Sequence, residues 1–299
     1  MKKIFQSIIL IIGLQVCGQS DDLARLEYTY FPQSSSDNSF RRFVALINFP
    51  VKVKENEDEE GIDSYLIPGI EYENINFKFE DPAPVGGIPD LDRYQSFTTS
   101  LGYLTPLKKN WILGIQGGVK IASNFELGEI INDDLIYTGA VFFIKSSEEE
   151  APKPWRLILG LHYTTTSGIP FPLPVINYHR EFHPDWTFTL GVPKSNIKYF
   201  FNKKNVVQAF VTLDGFFANI QSNRPFLNNA NKVAENISMT IVLGGLGYEH
   251  NFTDHLVYYL YAGHTIMNDI RFRDGNLDNV YDINKTNTFY MRSGIKFQF

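Results

Sequence analysis

Two histidines stand four residues apart, at His179 and His183. On a helix this spacing would bring both imidazoles to one face, where they could bind Zn²⁺. The surrounding residues favour a strand, in which positions four apart are separated by about 13 Å, too far to share one metal ion. We therefore predict no zinc site at this pair.

A second group of possible ligands is acidic. Asp274, Gly275, Asn276, Asp278 and Asn279 resemble a loose set of oxygen ligands for Ca²⁺. The segment lacks the acidic residue that closes an EF-hand loop, and Asp-Gly-Asn is common in turns. The sequence thus predicts a turn here, and it predicts no metal or other cofactor for the chain as a whole.

The six histidines of the chain also invite a search for a hydrolase. The sequence contains no Gly-x-Ser-x-Gly elbow, no His-Glu-x-x-His motif and no glycine-rich phosphate loop, and its single cysteine is Cys17. We predict no catalytic residue and no enzymatic activity. A barrel hydrolase stays open as an alternative, because such enzymes place their catalytic groups on neighbouring strands, where sequence spacing does not reveal them.

These residues belong to a chain rich in aromatic side chains: 25 Phe, 16 Tyr and 3 Trp make up 15% of its 299 residues. So much Phe and Tyr excludes a disordered chain, and a single cysteine excludes a disulfide scaffold. With 27 Lys and Arg against 33 Asp and Glu, the net charge is −6. This balance argues against a nucleic-acid partner, because nucleic-acid binders neutralise phosphates with surplus cations.

The N-terminus is typical of an export signal. Two lysines precede an apolar run from Ile8 to Leu14, and small residues lead to a cleavage site between Gly18 and Gln19. The run is too short for a membrane-spanning helix, which needs about 20 apolar residues. We predict a signal peptide at residues 1–18 and a mature domain at 19–299.

Two alternatives exist for this segment. Cys17 could carry a lipid, but a lipoprotein signal prefers a very small residue before the cysteine, and Val16 fits poorly. The run could instead be a buried strand at the start of a domain.

After this segment, apolar and polar residues alternate with the period of a strand. Between 111 and 121 the odd positions hold Trp, Leu, Ile, Gly and Val, while the even positions include Gly114, Gln116, Gly118 and Lys120. Segments 155–164 and 206–214 alternate in the same way. Residues 237–243 alternate as well, and their apolar face consists of Ile237, Met239, Ile241 and Leu243.

The alternating segments are about 9 to 14 residues long, which suits strands that cross a bilayer at a tilt better than the shorter strands of soluble proteins. Their polar faces are rich in Gly, Ser and Thr, as a barrel lumen would be, so we expect the apolar faces to point outward into lipid. We predict an all-β fold, a transmembrane antiparallel up-and-down β-barrel of about 12 to 14 strands. The alternative is an exported soluble β-sandwich.

The strands are expected near 23–31, 40–53, 63–79, 93–105, 110–122, 134–145, 155–166, 173–182, 185–191, 195–201, 206–220, 236–251, 255–267 and 286–299. Connections should then alternate between inner turns and longer outer loops, the latter including 221–235 and 268–285. The count is least certain in 173–201, where the outer connection between Gly191 and Lys194 is very short.

The last strand carries a resemblance to known proteins. Residues 287–299 alternate aromatic and aliphatic with polar residues and end on Phe297, Gln298 and Phe299. This pattern looks like the assembly signal of bacterial outer-membrane β-barrels, with Phe297 and Phe299 as its apolar positions. The resemblance implies outer-membrane lipid and the barrel-assembly machinery as partners.

The segment from Pro172 to Gly215 extends this resemblance. Its Gly191-Val192-Pro193 turn precedes a hairpin with Tyr199 and Asn202. It is similar to a family of porin-like outer-membrane barrels whose function is unassigned. The resemblance implies a location in the bacterial cell outer membrane and brings no catalytic residues.

The polar faces supply the candidate site. In a barrel they would line the lumen, forming either a selective passage or a set of ion pairs that fill the interior. The primary hypothesis is a passive channel or uptake protein for a small-molecule solute; the alternative is a structural or adhesion-type barrel that binds partners through its outer loops. The lumen-facing candidates are Arg25, Glu27, Arg42, Glu71, Glu73, Gln116, Lys120, Arg156, His162, Gln208, Asp214, Arg292 and Lys296.

Overall fold

The computed structural model describes residues 22–32, 39–55, 63–78, 91–107, 110–147, 151–227 and 229–298. The expected signal peptide, its cleavage site at Gly18 and Gln19, and the terminal Phe299 lie outside the described residues.

Almost all of the described chain is β-strand. A single turn of 3-10 helix spans Asn132–Asp134. Within the described ranges, no helix is both long and apolar enough to span a membrane. The strands are β1 (Asp22–Phe31), β2 (Ser39–Asn48), β3 (Val51–Lys54), β4 (Ser64–Lys78), β5 (Arg93–Pro106), β6 (Trp111–Ser123), β7 (Leu135–Ser146), β8 (Trp155–Thr164), β9 (Phe171–His183), β10 (Trp186–Val192), β11 (Lys194–Phe200), β12 (Asn205–Phe226), β13 (Asn229–Asn251), β14 (Leu256–Arg273), β15 (Asn279–Asn284) and β16 (Phe289–Gln298).

The sheet closes on itself. The first and last strands pair antiparallel, with Leu26 opposite Ile295, and β16 pairs with β14, which pairs with β13. The short β3 pairs with the inner end of β4, and β15 pairs with the outer end of β14, so the closed antiparallel barrel has 14 strands. The predicted all-β barrel is confirmed, at the upper end of the expected strand count. The region 173–201 contributes three strands, as counted, and β10 and β11 are joined by Pro193 alone.

The alternation fixes which side chains face the lumen. Because directly paired residues share a face of the sheet, Gln116, Ala140 and His162 point the same way on β6, β7 and β8. The opposite face carries large apolar side chains over most of the barrel, many of them more than a third exposed, such as Leu26, Leu161 and Leu246. This exterior is the reverse of a soluble sandwich, in which such side chains would be buried.

Three strands are much longer than the rest. β12, β13 and β14 have 22, 23 and 18 residues, whereas the other barrel strands have 7 to 15. The predicted outer loop at 221–235 is therefore wrong, since most of it extends β12 and β13, and the predicted loop at 268–285 contains the end of β14 and β15. Polar residues such as Gln221 and Arg224 indicated a loop, but their side chains bond to another part of the protein.

The outer halves of β12 and β13, residues 215–226 and 232–243, cross the outer mouth of the barrel, and we call them the lid. Asn219 on β12 pairs with Ser123 on β6, although five strands separate β12 from β6 around the wall. On β13, the hydroxyls of Ser238 and Thr240 donate to the carbonyls of Gly168 and Ser167, at 2.6 and 2.7 Å. The lid thus bridges opposite walls.

Under the lid the interior is apolar. Phe216 and Ile241 of the lid belong to one buried cluster with Phe77, Tyr94 and Tyr290 from the walls. A second buried cluster, which includes Ile67, Ile112 and Ile158, faces inward at the opposite end. The expectation that apolar faces point outward therefore fails for a group on β13, Ile237, Met239, Ile241 and Leu243. Alternation shows which residues share a face, but it does not show that the lid excludes water from that face.

Candidate functional site

Between the two apolar clusters the lumen is polar, and its centre is an ion-pair cluster. Thr29 on β1 is paired with Arg42 on β2 and with Arg292 on β16, so the register brings two arginines side by side on the lumen face. Asp214 reaches them from β12. Arg42 donates two hydrogen bonds to the Asp214 carboxylate, at 2.8 and 2.6 Å, and Arg292 donates to the same carboxylate. Such bidentate pairing is the strong form of a charge-assisted hydrogen bond.

Two more carboxylates and one amine complete this cluster. Glu27 lies 3.9 Å from Arg42 and accepts a 2.7 Å hydrogen bond from the hydroxyl of Tyr259. Glu73 lies 3.7 Å from Arg42 and 3.6 Å from Lys120. The cluster thus balances three cations with three anions, which is required because a buried charge is tolerated only when it is paired.

A separate network lies on the wall formed by β11 to β14. Glu249 accepts hydrogen bonds from Gln208, at 2.7 Å, and from Tyr261, at 2.6 Å, and it lies 2.8 Å from the amine of Lys198. Next to it, the amine of Lys194 lies 5.2 Å from the ring centre of Tyr261, a cation–π contact.

Beside the central cluster is a cavity of about 190 Å³. Arg25 and Asn48 line it toward the inner end of the barrel, and Thr165 and Gly215 line it beneath the lid. Its remaining wall is rich in hydroxyl groups from β5, β7 and the end of β8.

Ten of the thirteen candidate residues line this cavity: Arg25, Glu27, Arg42, Glu71, Glu73, Gln116, Lys120, His162, Asp214 and Arg292. The other three lie elsewhere in the lumen. Gln208 belongs to the Glu249 network, Arg156 is paired with His179 across β8 and β9, and Lys296 lies 3.9 Å from Asp22. Phe297 faces outward on β16 and is 44% exposed, and its role in assembly stays a prediction.

Sequence reasoning missed several lumen residues, among them Asp22, Lys198 and Glu249. For Glu249, the alternation of Gly245, Gly247 and Glu249 on β13 could have indicated the lumen face. In contrast, residues 258–261 are Tyr, Tyr, Leu and Tyr, with no charged or small polar residue among them to mark a face. Periodicity therefore could not indicate that Tyr259 and Tyr261 face inward.

The candidate metal residues take other roles. His179 lies in the lumen and is hydrogen-bonded to Thr189 at 2.9 Å, whereas His183 lies exposed at the inner turn after β9. The Asp274 carboxylate accepts the backbone amides of Asn276 and Asp278, as in a turn. Among the described residues, no group of three or more His, Cys, Asp and Glu side chains is arranged to hold a metal ion.

A protein-family model, Domain of unknown function (DUF6268), matches residues 23–298. The chain belongs to the DUF6268 family. The expected resemblance to a family of unassigned function is thereby confirmed, with coverage of nearly the whole described chain. No curated protein matches this DUF6268 chain.

Solved barrels resemble it only distantly. The NanC porin is 9% identical, with a TM-score of 0.37, and the match covers 92% of this chain and 100% of that one. The KdgM porin is 8% identical, with a TM-score of 0.36 and coverage of 92% and 99%. LpxR from Salmonella typhimurium is 6% identical, with a TM-score of 0.38 and coverage of 92% and 100%. Values this low support no assignment of activity, and the absence of enzymatic activity stays a prediction.

Proposed function

We propose that this DUF6268 protein is an integral outer-membrane β-barrel that passes small polar solutes through its lumen, and that the lid closes the outer mouth in the conformation described. The observation that carries the proposal is a polar, ion-paired lumen enclosed by a wall whose outer face is apolar.

The exterior supports a membrane location. Large apolar side chains cover the outward positions of the 14 strands, and a closed barrel leaves no unpaired sheet edge in contact with lipid. Amphipathic aromatic residues mark the inner rim, where Trp186 packs on Tyr199 and Trp111 lies under the amine of Lys145. Such rings are favoured at membrane–water interfaces. The N-terminal export signal expected from the sequence directs the protein beyond the inner membrane.

The interior supports passage rather than a purely structural role. The polar cavity lies between the two apolar clusters and beside the central ion-pair cluster, so the charged groups leave open space in the lumen. The lid closes its outer side through backbone pairing and side-chain hydrogen bonds. A solute can therefore cross only when residues 215–226 and 232–243 move away from the wall at β6.

Planar-bilayer recordings of the refolded barrel, together with flux of neutral solutes into liposomes, test the proposal. Heat-modifiable migration on a denaturing gel first establishes that the barrel is folded. We expect brief openings in the native protein and frequent openings in a variant that replaces residues 216–241 by a short Gly-Ser linker. A folded barrel in which both proteins lack conductance and solute flux would overturn the proposal.

A further inference from the structure

On one wall of the cavity five neutral polar side chains are neighbours, and Glu71 and Lys120, which are paired with Thr98, form the charged border of this group. The five neutral side chains are Thr98 and Ser100 on β5, Gln116 on β6, Thr138 on β7 and His162 on β8, and we call these five residues the polar patch. Ser100 and Thr138 are both opposite Gly118, and Gln116 and His162 are both opposite Ala140, so the five side chains form one continuous surface.

The small residues between them give this surface its depth. A side chain at Gly118 would meet the Thr138 hydroxyl and the Thr99 carbonyl, each 2.8 Å from the added Cβ. The absence of side-chain bulk at Gly118 therefore keeps Ser100 and Thr138 accessible to the cavity.

The polar patch has unused hydrogen-bonding capacity. Within the part of the chain that the structure describes, none of the five side chains makes a hydrogen bond to another residue. Together they offer three hydroxyl groups, an amide and an imidazole, which can act both as donors and as acceptors. Polar groups that face a cavity without protein partners bind water or a ligand.

The charged side of the cavity selects against ions. Arg42 and Arg292 both donate hydrogen bonds to the Asp214 carboxylate, and Lys120 lies beside Glu73. An anionic or cationic solute would have to separate these pairs before it gained a partner of its own. A neutral solute needs no such rearrangement.

The dimensions of the cavity further limit the class of solute that can bind. A cavity of about 190 Å³ has room for several water molecules or for a small polyol. The Glu71 side chain is 33% exposed while that of Glu73, two residues nearer the lid, is 8% exposed, so the open space of the cavity is larger on the side away from the lid.

We propose that the polar patch is a binding site for a small neutral polyol, which hydrogen-bonds to Ser100, Gln116, Thr138 and His162. This inference rests on the proposed function in so far as it names the solute class of the same lumen. Binding at the polar patch and passage past the lid are separate events, because the patch lies on β5 to β8 and the lid on β12 and β13.

Saturation-transfer NMR on the full-length barrel, folded in detergent, tests the site with erythritol as the probe. We expect erythritol to bind the native protein, and Gln116→Leu and Thr138→Val each to weaken binding roughly fivefold, the effect of losing one neutral hydrogen bond. Asn177→Leu is the matched control, because Asn177 faces the lumen on β9 but does not line the cavity. Acetate and ethanolamine, which are small and charged, should not compete.

Three results would overturn the inference: a folded native barrel that does not bind erythritol, equal weakening by Gln116→Leu and Asn177→Leu, or competition by acetate or ethanolamine. The test is separate from that of transport. Binding that depends on the polar patch, in a barrel without solute flux, would overturn the proposed function and leave the site standing. Solute flux without binding at the polar patch would overturn this inference and leave the proposed function standing.

Discussion

Arg42 and Asp214 lie 172 residues apart in the chain and on different walls of the barrel, yet two hydrogen bonds join the guanidinium to the carboxylate. Only closure of the sheet brings β2 and β12 face to face. The pair is thus both a charged element of the lumen and a cross-link that holds two walls at a fixed separation.

Removing the carboxylate should weaken the barrel. In Asp214→Asn, Arg42 and Arg292 would keep their buried charges and lose their shared counter-ion, so we expect a loss of about 2–4 kcal/mol in the free energy of unfolding. Urea unfolding in detergent, followed by tryptophan fluorescence, measures this. Asp282→Asn is the control, since Asp282 is more exposed and pairs with two surface groups, Lys285 and Asn279. Equal stability of the two variants would contradict the interpretation.

The barrel itself could be predicted from the sequence because most of the strands that cross the wall alternate with a period of two. That period also placed Arg42, Asp214 and Gln116 on the lumen face. It could not show that Arg42 meets Asp214, since pairing across a lumen depends on how the whole sheet closes and leaves no local signal.

The lid escaped prediction for a different reason. Gln221 and Arg224 are polar residues in a stretch that resembles a loop, and the partners that make this stretch a strand lie in the 124–134 connection. The inward burial of Met239 and Ile241 likewise depends on the lid excluding water. Tertiary contacts, rather than local pattern, determine both features.

One buried carboxylate accepts two of the hydrogen bonds that hold the lid to the wall. Asp134, on the 3-10 turn before β7, accepts hydrogen bonds from the amides of Asn219 and Gln221, at 2.9 and 2.8 Å. Asp134→Ala would leave both amides without this acceptor, so we expect the ratio of open to closed states to rise roughly tenfold. Single-channel recording measures the open probability. Asp133→Ala, at the exposed neighbouring position, should behave as the native protein; an equal change in both variants would contradict a latch at Asp134.

A disulfide across the mouth should lock the lid. Asn219 and Ser123 are partners in a parallel pairing, close enough for a disulfide when both are replaced by cysteine. In Ser123→Cys/Asn219→Cys we expect conductance and solute flux to disappear on oxidation and to return with a reductant. The reduced form also reports any effect of losing the Asn219 amide.

The matched control for this lock places both cysteines within the wall. Asn205 and His250 are paired on β12 and β13 at the inner end, away from the mouth. Oxidation of Asn205→Cys/His250→Cys should leave conductance unchanged. Equal conductance of the oxidised Ser123→Cys/Asn219→Cys barrel and its reduced form would show that passage does not depend on movement of the lid.

A single charged substitution on the apolar exterior can distinguish a membrane barrel from a soluble one. Leu246 lies on the outer face of β13, five residues from its inner end, and is 71% exposed; Leu227, at the tip of the lid, is 79% exposed. In a bilayer, Leu246→Arg should lower the free energy of unfolding by roughly 2–4 kcal/mol because the charge enters hydrocarbon, whereas Leu227→Arg should have little effect because it lies beyond the wall. Unfolding titrations in lipid vesicles measure both. In water the two substitutions would be nearly equivalent, so equal stabilities would contradict a lipid-facing exterior.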